Sequence, residues 1–294
     1  MMKKRGKGFQ VFAASIMLIT CLIIVIPFLL MIISSFTEEK SLLLNGYSFF
    51  PEKWSLEAYR YILKSSGIIL SSYGYSALVT LTGTILSEGM TVLLAYPLSR
   101  KDFFAERFLT VFVFITMLFN GGLVSQYMIY STIFNIKNTF FAYLVPNLML
   151  SGFYVMIIKN YYTANVPVEL IEAARIDGSG EFYTFYKIVL PVARPIVVSM
   201  GVLIALSYWN DWTNGLYYVT KPEMYTFQSL LNRMIQQINY LTSGQMMSNA
   251  AQIQIPSVSV RMGIAAIGVI PMIIIYPFFQ KFFVGGLTAG AIKG

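Results

Sequence analysis

Residues 159–194 read KNYYTANVPVELIEAARIDGSGEFYTFYKIVLPVAR, a polar stretch between two long apolar runs. Pro167 suits the first turn of a helix, where no backbone N–H is needed. Glu169 and Glu172 favour the N-terminal end of that helix's dipole. Glu172 and Arg175 stand at i, i+3 and can pair. Gly178 falls where the helix would end, and glycine takes the left-handed cap without strain. Ser179 is placed to cap a second short helix with Glu181 in its first turn, which Pro191 and Pro195 are expected to stop. The stretch therefore predicts a helix, a glycine bend and a second helix. Ala173 and Ala174 are small enough for another protein's backbone to approach closely. A short rigid element of this kind can pass a displacement between two bodies, where a floppy loop would dissipate it.

Outward from this segment lie apolar runs at 139–158 and 195–218, and beyond them at 11–33, 68–96, 108–131 and 260–283. A helix needs about 20 apolar residues to cross about 30 Å of hydrocarbon, so the pattern predicts an all-α, polytopic membrane protein of six transmembrane helices. The composition agrees. Of the 294 residues, 56% are hydrophobic and only 12% charged, against about 25% charged in soluble domains. Too few charges remain to make a water-exposed surface, so membrane lipid must cover much of the chain. The net charge of +8 does not point to nucleic acid, because the basic residues form no stripe with interleaved aromatics.

Those basic residues sit at the ends of the apolar runs instead. Of the 21 Lys and Arg, 13 fall in segments 1–10, 97–107, 159–194 and 281–294, which the positive-inside rule assigns to the cytoplasm. The remaining 8 fall in 34–67, 132–138 and 219–259, with Arg261 counted at the edge of the last. Both termini are then cytoplasmic, and the 159–194 loop projects from that side between the fourth and fifth spans. Lys3, Lys4, Arg5 and Lys7 resemble the start of a signal peptide, but the run after them is longer than a signal core and no A-x-A site follows. It is read as an uncleaved span. The organisation is thus a tail, 1–10, and a single transmembrane domain, 11–294, with a coupling loop at 159–194 and an outer loop at 219–259. Within the outer loop Phe227, Leu230, Leu231, Met234, Ile238 and Leu241 recur at helical spacing. An amphipathic helix on the outer surface and a lid packed on the helix ends both explain them.

The chain has no histidine, and its one cysteine, Cys21, lies inside the first run. Histidine-based acid/base chemistry is excluded, and no zinc or other metal site is expected. The chain reads as non-enzymatic.

The pattern Glu172-Ala173-Ala174, then Gly178, then Ile188 and Leu190-Pro191 resembles the EAA loop of ABC-importer permeases, at the place in the chain where that family carries it. Ala95-Tyr96-Pro97-Leu98-Ser99-Arg100 and Trp209-Asn210-Asp211-Trp212 are similar to stretches of the carbohydrate-type members, in the mould of the smaller membrane subunit of the maltose importer. Asn120-Gly121-Gly122-Leu123 is similar to a branch that serves oligosaccharides. The resemblance implies a subunit of a bacterial cell-membrane importer that works beside a second permease chain. It implies a cytoplasmic ATPase dimer, which binds the ATP and Mg, and an extracellular solute-binding protein that delivers an oligosaccharide. This chain has no G-x-x-x-x-G-K-S/T phosphate loop, so no cofactor is expected on it. Carried over residue by residue, Glu172, Ala173, Ala174 and Gly178 are the ATPase-coupling residues, with Arg175 and Asp177 on the same element.

Ionisable residues inside a membrane are functional candidates. Glu88 in the second run and Asp211 in the fifth stand out, with Asn120, Asn210 and Trp209 as further candidates to line a sugar pathway. The same residues could serve as interhelical glue or interfacial anchors. Gly74, Gly83 and Gly89 are expected to allow close helix packing. An ion-driven secondary transporter would need coupling-ion sites and shows repeats; no repeat is found, and that reading leaves the EAA segment unexplained. A membrane-embedded enzyme would need clusters of reactive groups that the chain lacks.

Overall fold

The computed structural model describes residues 7–64, 66–242 and 257–289. Most of the expected tail and the middle of the 219–259 loop lie outside the described residues. Among the described residues the chain is helical, with no strand beyond an isolated antiparallel bridge between Thr37 and Trp54. In order the helices are α1 (Lys7–Ser35), α2 (Glu39–Asn45), α3 (Glu57–Leu63), α4 (Ser66–Leu98), α5 (Glu106–Leu118), α6 (Gly122–Met128), α7 (Phe141–Leu144) and α8 (Gly152–Asn165). There follow α9 (Val168–Ile176), α10 (Glu181–Thr184), α11 (Leu190–Val192), α12 (Arg194–Trp209), α13 (Thr213–Tyr218), α14 (Phe227–Thr242) and α15 (Ser257–Ala289). A π-helical turn, Phe185–Val189, joins α10 to α11, and another, Ile129–Ile133, extends α6.

Two helical stretches, Gly8–Ser35 and Gly67–Leu98, are individually long and apolar enough to cross a membrane. The expected third run is broken: Glu106–Leu118 meets Gly122–Ile133 at 110°. Asn120 Oδ1 accepts the Gly122 N–H at 2.8 Å, and Gly122 holds φ +80°, so a side chain takes up a backbone donor that the break frees. The fourth run divides into α7 and α8 across Pro146 and Asn147, the latter at φ +63°. The fifth divides into α12 and α13 at Asn210–Trp212.

Side chains on either side of the fifth-run break satisfy carbonyls at the fourth-run break. Asn214 Nδ2 donates to the Pro146 carbonyl at 3.0 Å, and Tyr208 Oη donates to the Leu144 carbonyl at 3.0 Å. Hydrocarbon offers no partner for a free carbonyl, so an interrupted span is tolerated where protein groups supply one.

The described residues fall into two compact units, one within 1–67 and 231–271 and the other within 68–230 and 272–294. In the first, α1 is apolar and its side chains are exposed along nearly its whole length, as in a helix whose surroundings are lipid rather than water. Its C-terminal end is tied down: Ser35 Oγ and Tyr59 Oη are 2.8 Å apart, and the Phe36 and Tyr59 rings stack at 4.7 Å. Glu39 caps the start of α15, accepting the N–H groups of Val258 and Ser259 at 2.8 and 2.9 Å and the Ser259 hydroxyl at 2.7 Å.

The second unit has two apolar clusters. One packs Val92, Ala95 and Leu98 of α4 against Val155, Ile158 and Tyr162 of α8, Ile171 of α9 and Ile196 of α12. The other gathers Val79, Ala142–Leu144, Ile204, Tyr208 and Tyr218. A Cβ at Gly83 would fall 2.6 Å from the Tyr208 ring, so this glycine does permit close packing. Gly74 and Gly89 have nothing within 4 Å of a Cβ, contrary to the expectation for them. The amphipathic helix expected over 226–241 is α14, with Phe227, Leu230 and Leu231 buried; of Ile238 and Leu241 only the backbone is described. The Phe227 N–H reaches Ser76 Oγ at 2.6 Å, and its ring stacks on Tyr73 at 3.9 Å. The N-terminal end of α14 is therefore packed onto α4.

Candidate coupling site

Helix α9 begins after Pro167, which stands at the N-cap position with extended backbone (φ −60°, ψ 134°). It ends as the sequence predicts. Gly178 takes φ +79°, its N–H bonds the Arg175 carbonyl at 3.1 Å, and the Ser179 N–H bonds the Ala174 carbonyl at 2.9 Å. This pair of bonds is the Schellman closure, which needs a left-handed residue between helix and exit. A Cβ on Gly178 would meet nothing within 4 Å, so backbone conformation rather than space explains the glycine.

The second helix starts differently from expectation. Gly180, not Ser179, holds its N-cap position, without a side-chain cap, and Glu181 is its first residue. Pro191 does not end it at once: α10, the π-helical turn and α11 run on through Val192, one residue past the proline. The chain turns at Ala193, and Pro195 opens α12; the two arms, Glu181–Val192 and Arg194–Tyr218, meet at 84°.

Glu172, Ala173, Arg175, Asp177 and Gly178 are exposed, while Ala174 is buried and packs within the chain. Arg175 does not turn to Glu172. Its Nη2 bonds Asp102 Oδ2 at 2.8 Å and Glu181 Oε1 at 2.9 Å. Asp102 is shared, since Arg100 grips the same carboxylate through Nε and Nη2 at 2.9 and 2.8 Å. Arg100 Nη1 also donates to Tyr96 Oη at 2.9 Å, and that hydroxyl donates to Glu181 Oε2 at 2.8 Å. Two cations and two anions thus alternate around one ring, closed by a tyrosine.

Arg100 first, then Arg175, holds the Asp102 carboxyl well below the usual carboxylate range. Arg175, followed by the Tyr96 hydroxyl, lowers that of Glu181. The sequence pointed to Arg175 but not to Tyr96, Arg100, Asp102 or Glu181 as its setting, and a separation of 73 residues between Arg175 and Asp102 leaves no local signal. A cavity of about 570 Å³ opens beside the ring, walled by Leu93, Phe103, Phe182 and Phe185. A second, of about 390 Å³, lies against Tyr162, Val166, Ile171 and Glu172. Large apolar side chains stand out nearby: Phe104 is 95% exposed, Ile176 87% and Phe182 84%.

The pathway candidates occupy three places. Glu88 lies against Gly201 of α12, whose Cβ would come 3.8 Å from its carboxylate, and both carboxylate oxygens are buried without a hydrogen-bond partner. Asn120 is spent on the α5–α6 break. Trp209, Asn210 and Asp211 sit at the α12–α13 break. There Trp209 is buried with an unpartnered Nε1, and Asn210 is exposed and accepts from Gln228 at 3.4 Å. Asp211 Oδ1 caps the Asn214 N–H at 3.0 Å, while Oδ2 is buried and unpartnered. Among the described residues no group of three or more His, Cys, Asp or Glu could hold a metal ion.

Residues 83–288 match the family described as "Binding-protein-dependent transport system inner membrane component". The chain is 32% identical over 290 residues to the polygalacturonan/rhamnogalacturonan transport system permease protein YtcP of Bacillus subtilis, covering 99% of this chain and 100% of that one. It is 29% identical to the trehalose/maltose transport system permease protein MalG of Thermococcus litoralis, over 97% of this chain and 96% of the relative. A crystal structure of a bacterial ABC transporter involved in the import of the acidic polysaccharide alginate superposes with TM-score 0.78 at 23% identity, covering 96% of this chain and 99% of the other.

Proposed function

The chain belongs to the binding-protein-dependent transport system inner membrane component family, and from this membership as a non-catalytic ABC-importer permease subunit we propose that it carries oligosaccharides across the bacterial cell membrane as half of a two-chain pathway. Full-length similarity to sugar permeases, among them one named for polygalacturonan and rhamnogalacturonan, carries that reading. We propose six spans with both termini cytoplasmic: α1, α4, the broken pairs α5–α6, α7–α8 and α12–α13, and α15. The 159–194 loop is then cytoplasmic and belongs to the same domain as the spans. Glu172, Ala173, Ala174, Arg175, Asp177 and Gly178 form or support the surface on which one ATPase subunit docks. The exposed Ile176, Phe182 and Phe104 supply the apolar area such docking needs. ATP and Mg are bound by that ATPase, and an extracellular binding protein delivers the sugar. Glu88, Asn120, Trp209, Asn210 and Asp211 are the candidates to border the sugar's route.

A gentle-detergent pull-down of tagged chain from its native membranes tests the reading. The expected companions are a second six-span permease and a cytoplasmic ATPase. Recovery of the chain alone or as a homodimer, in conditions that keep a known importer intact, would refute it. Gly178→Asp is expected to uncouple or disassemble the complex while leaving the membrane fold intact.

A further inference from the structure

We propose that Arg175 acts chiefly as an intramolecular strut: with Asp102, Glu181, Arg100 and Tyr96 it locks the end of α9 to the end of α4, so that displacement of α9 reaches the membrane through α4. The proposal rests on α9 being the element the ATPase moves. It concerns how the motion leaves α9, and it names Asp102 as a positioning residue.

The geometry supports it at each joint. Ile171 packs α9 into the apolar cluster with Ala95 and Leu98 of α4, but past Ala174 the end of α9 is exposed through Gly178, so apolar packing does not hold these last residues. What crosses the gap is polar: the Arg175 bonds to Asp102 and Glu181, both under 3 Å. Cavities of about 570 and 390 Å³ flank the ring, so at this end of α9 the ion pairs rather than packed side chains bridge to α4. Bidentate guanidinium–carboxylate pairing fixes direction as well as distance, and Arg100 pairs with Asp102 in that way. Tyr96 lies in the last turns of α4, and Arg100 two residues beyond its end.

Helix α4 has 33 residues, about 50 Å at 1.5 Å per residue, and it bears on α12 at two heights. One is Gly83 against the Tyr208 ring, and the other is Glu88 against Gly201. Tyr208 lies in the last turn of α12, next to Trp209 and the Asn210–Trp212 break. A movement entering at Arg175 therefore meets a continuous series of packed contacts up to the one interrupted stretch that holds three of the pathway candidates. Spatial continuity alone does not establish coupling, and a mutant cycle across the joint does.

The test uses the whole importer, with partner permease, ATPase and binding protein, reconstituted in vesicles. Asp102→Asn keeps the shape and removes the charge that Arg175 and Arg100 share. The expected result is an unchanged amount of bound ATPase and unchanged basal hydrolysis, with sugar transported per ATP falling about ten-fold, within the usual range of allosteric coupling. Arg175→Gln removes the other side of the same joint, so the double variant Asp102→Asn with Arg175→Gln is expected to transport no less per ATP than the worse single variant. Unchanged transport per ATP in Asp102→Asn would overturn the strut. So would loss of the ATPase from the complex, which would make the ring part of the docking surface, and so would losses in the double variant that multiply as for two independent residues. Gly178→Asp, measured alongside, separates the two readings. Normal transport by that variant removes the coupling role of α9 itself, whereas failure of the Asp102 arm alone leaves that role standing.

Discussion

Gly178 and Gly83 are glycines for opposite reasons, and their variants should fail differently. At Gly178 the backbone is left-handed and the space is open. Gly178→Ala is expected to destabilise the α9 exit by about 1 kcal/mol and Gly178→Asn by less, since asparagine tolerates that conformation. Faster hydrogen exchange of the Ser179 amide, which bonds the Ala174 carbonyl, would report it. At Gly83 the backbone is helical and the space is filled by the Tyr208 ring. Gly83→Ala must displace a ring whose hydroxyl holds the Leu144 carbonyl, at about 1–3 kcal/mol for overpacking. The expected readout is a lower melting temperature of the detergent-solubilised chain, with exchange at Ser179 unchanged.

Among the elements, α9 and α15 both depend on charges distant in sequence. The Arg175–Asp102–Arg100–Glu181 ring contains two carboxyls whose folded-state pKa values are lowered by their partners. Groups lowered in this way contribute stability above their unfolded pKa, and that contribution is lost as pH falls through the folded value. The difference in thermal stability between the natural chain and Asp102→Asn should therefore be flat from about pH 5 to 7 and shrink below about pH 4, where an unfolded carboxyl titrates. A difference that grew on acidification would contradict the ring's electrostatics. In α15 the Glu39 carboxylate meets the first N–H groups of the helix, where the dipole favours negative charge. Glu39→Gln retains one acceptor and loses the charge. Its expected effect is about 1 kcal/mol, or about five-fold faster exchange at the amides of Val258 and Ser259.

At the scale of the whole molecule, α1 presents an apolar surface nearly all round, and burial of that surface in lipid or against a partner chain accounts for a composition that no water-exposed fold could use. The energy source is a property of the assembly. Uptake by reconstituted vesicles is expected to require ATP and Mg on the ATPase side, to stop when a chelator removes Mg, and to return when Mg is restored. Collapse of ion gradients should leave it unchanged. Uptake that survives chelation and fails with the gradient would point to a secondary transporter instead.

The sequence by itself determined the helical class, the three uninterrupted runs that became α1, α4 and α15, and the glycine exit of α9. Each of these rests on a local cause: apolar length, the absence of breakers, or one residue's backbone freedom. The amphipathic period of 226–241 was legible for the same reason and reappears as α14. Only the tertiary structure decided where the third, fourth and fifth runs break. A hydropathy window adds up apolar residues without sensing chain direction, so the bend at Asn120 and the paired interruptions at Pro146 and Asn210–Trp212 are invisible to it. The tertiary structure also chose Arg175's partners. The i, i+3 spacing offered Glu172, but the fold brought Asp102 and Glu181 within 3 Å, because a guanidinium joins the carboxylates whose geometry lets it bond them, whatever their distance along the chain.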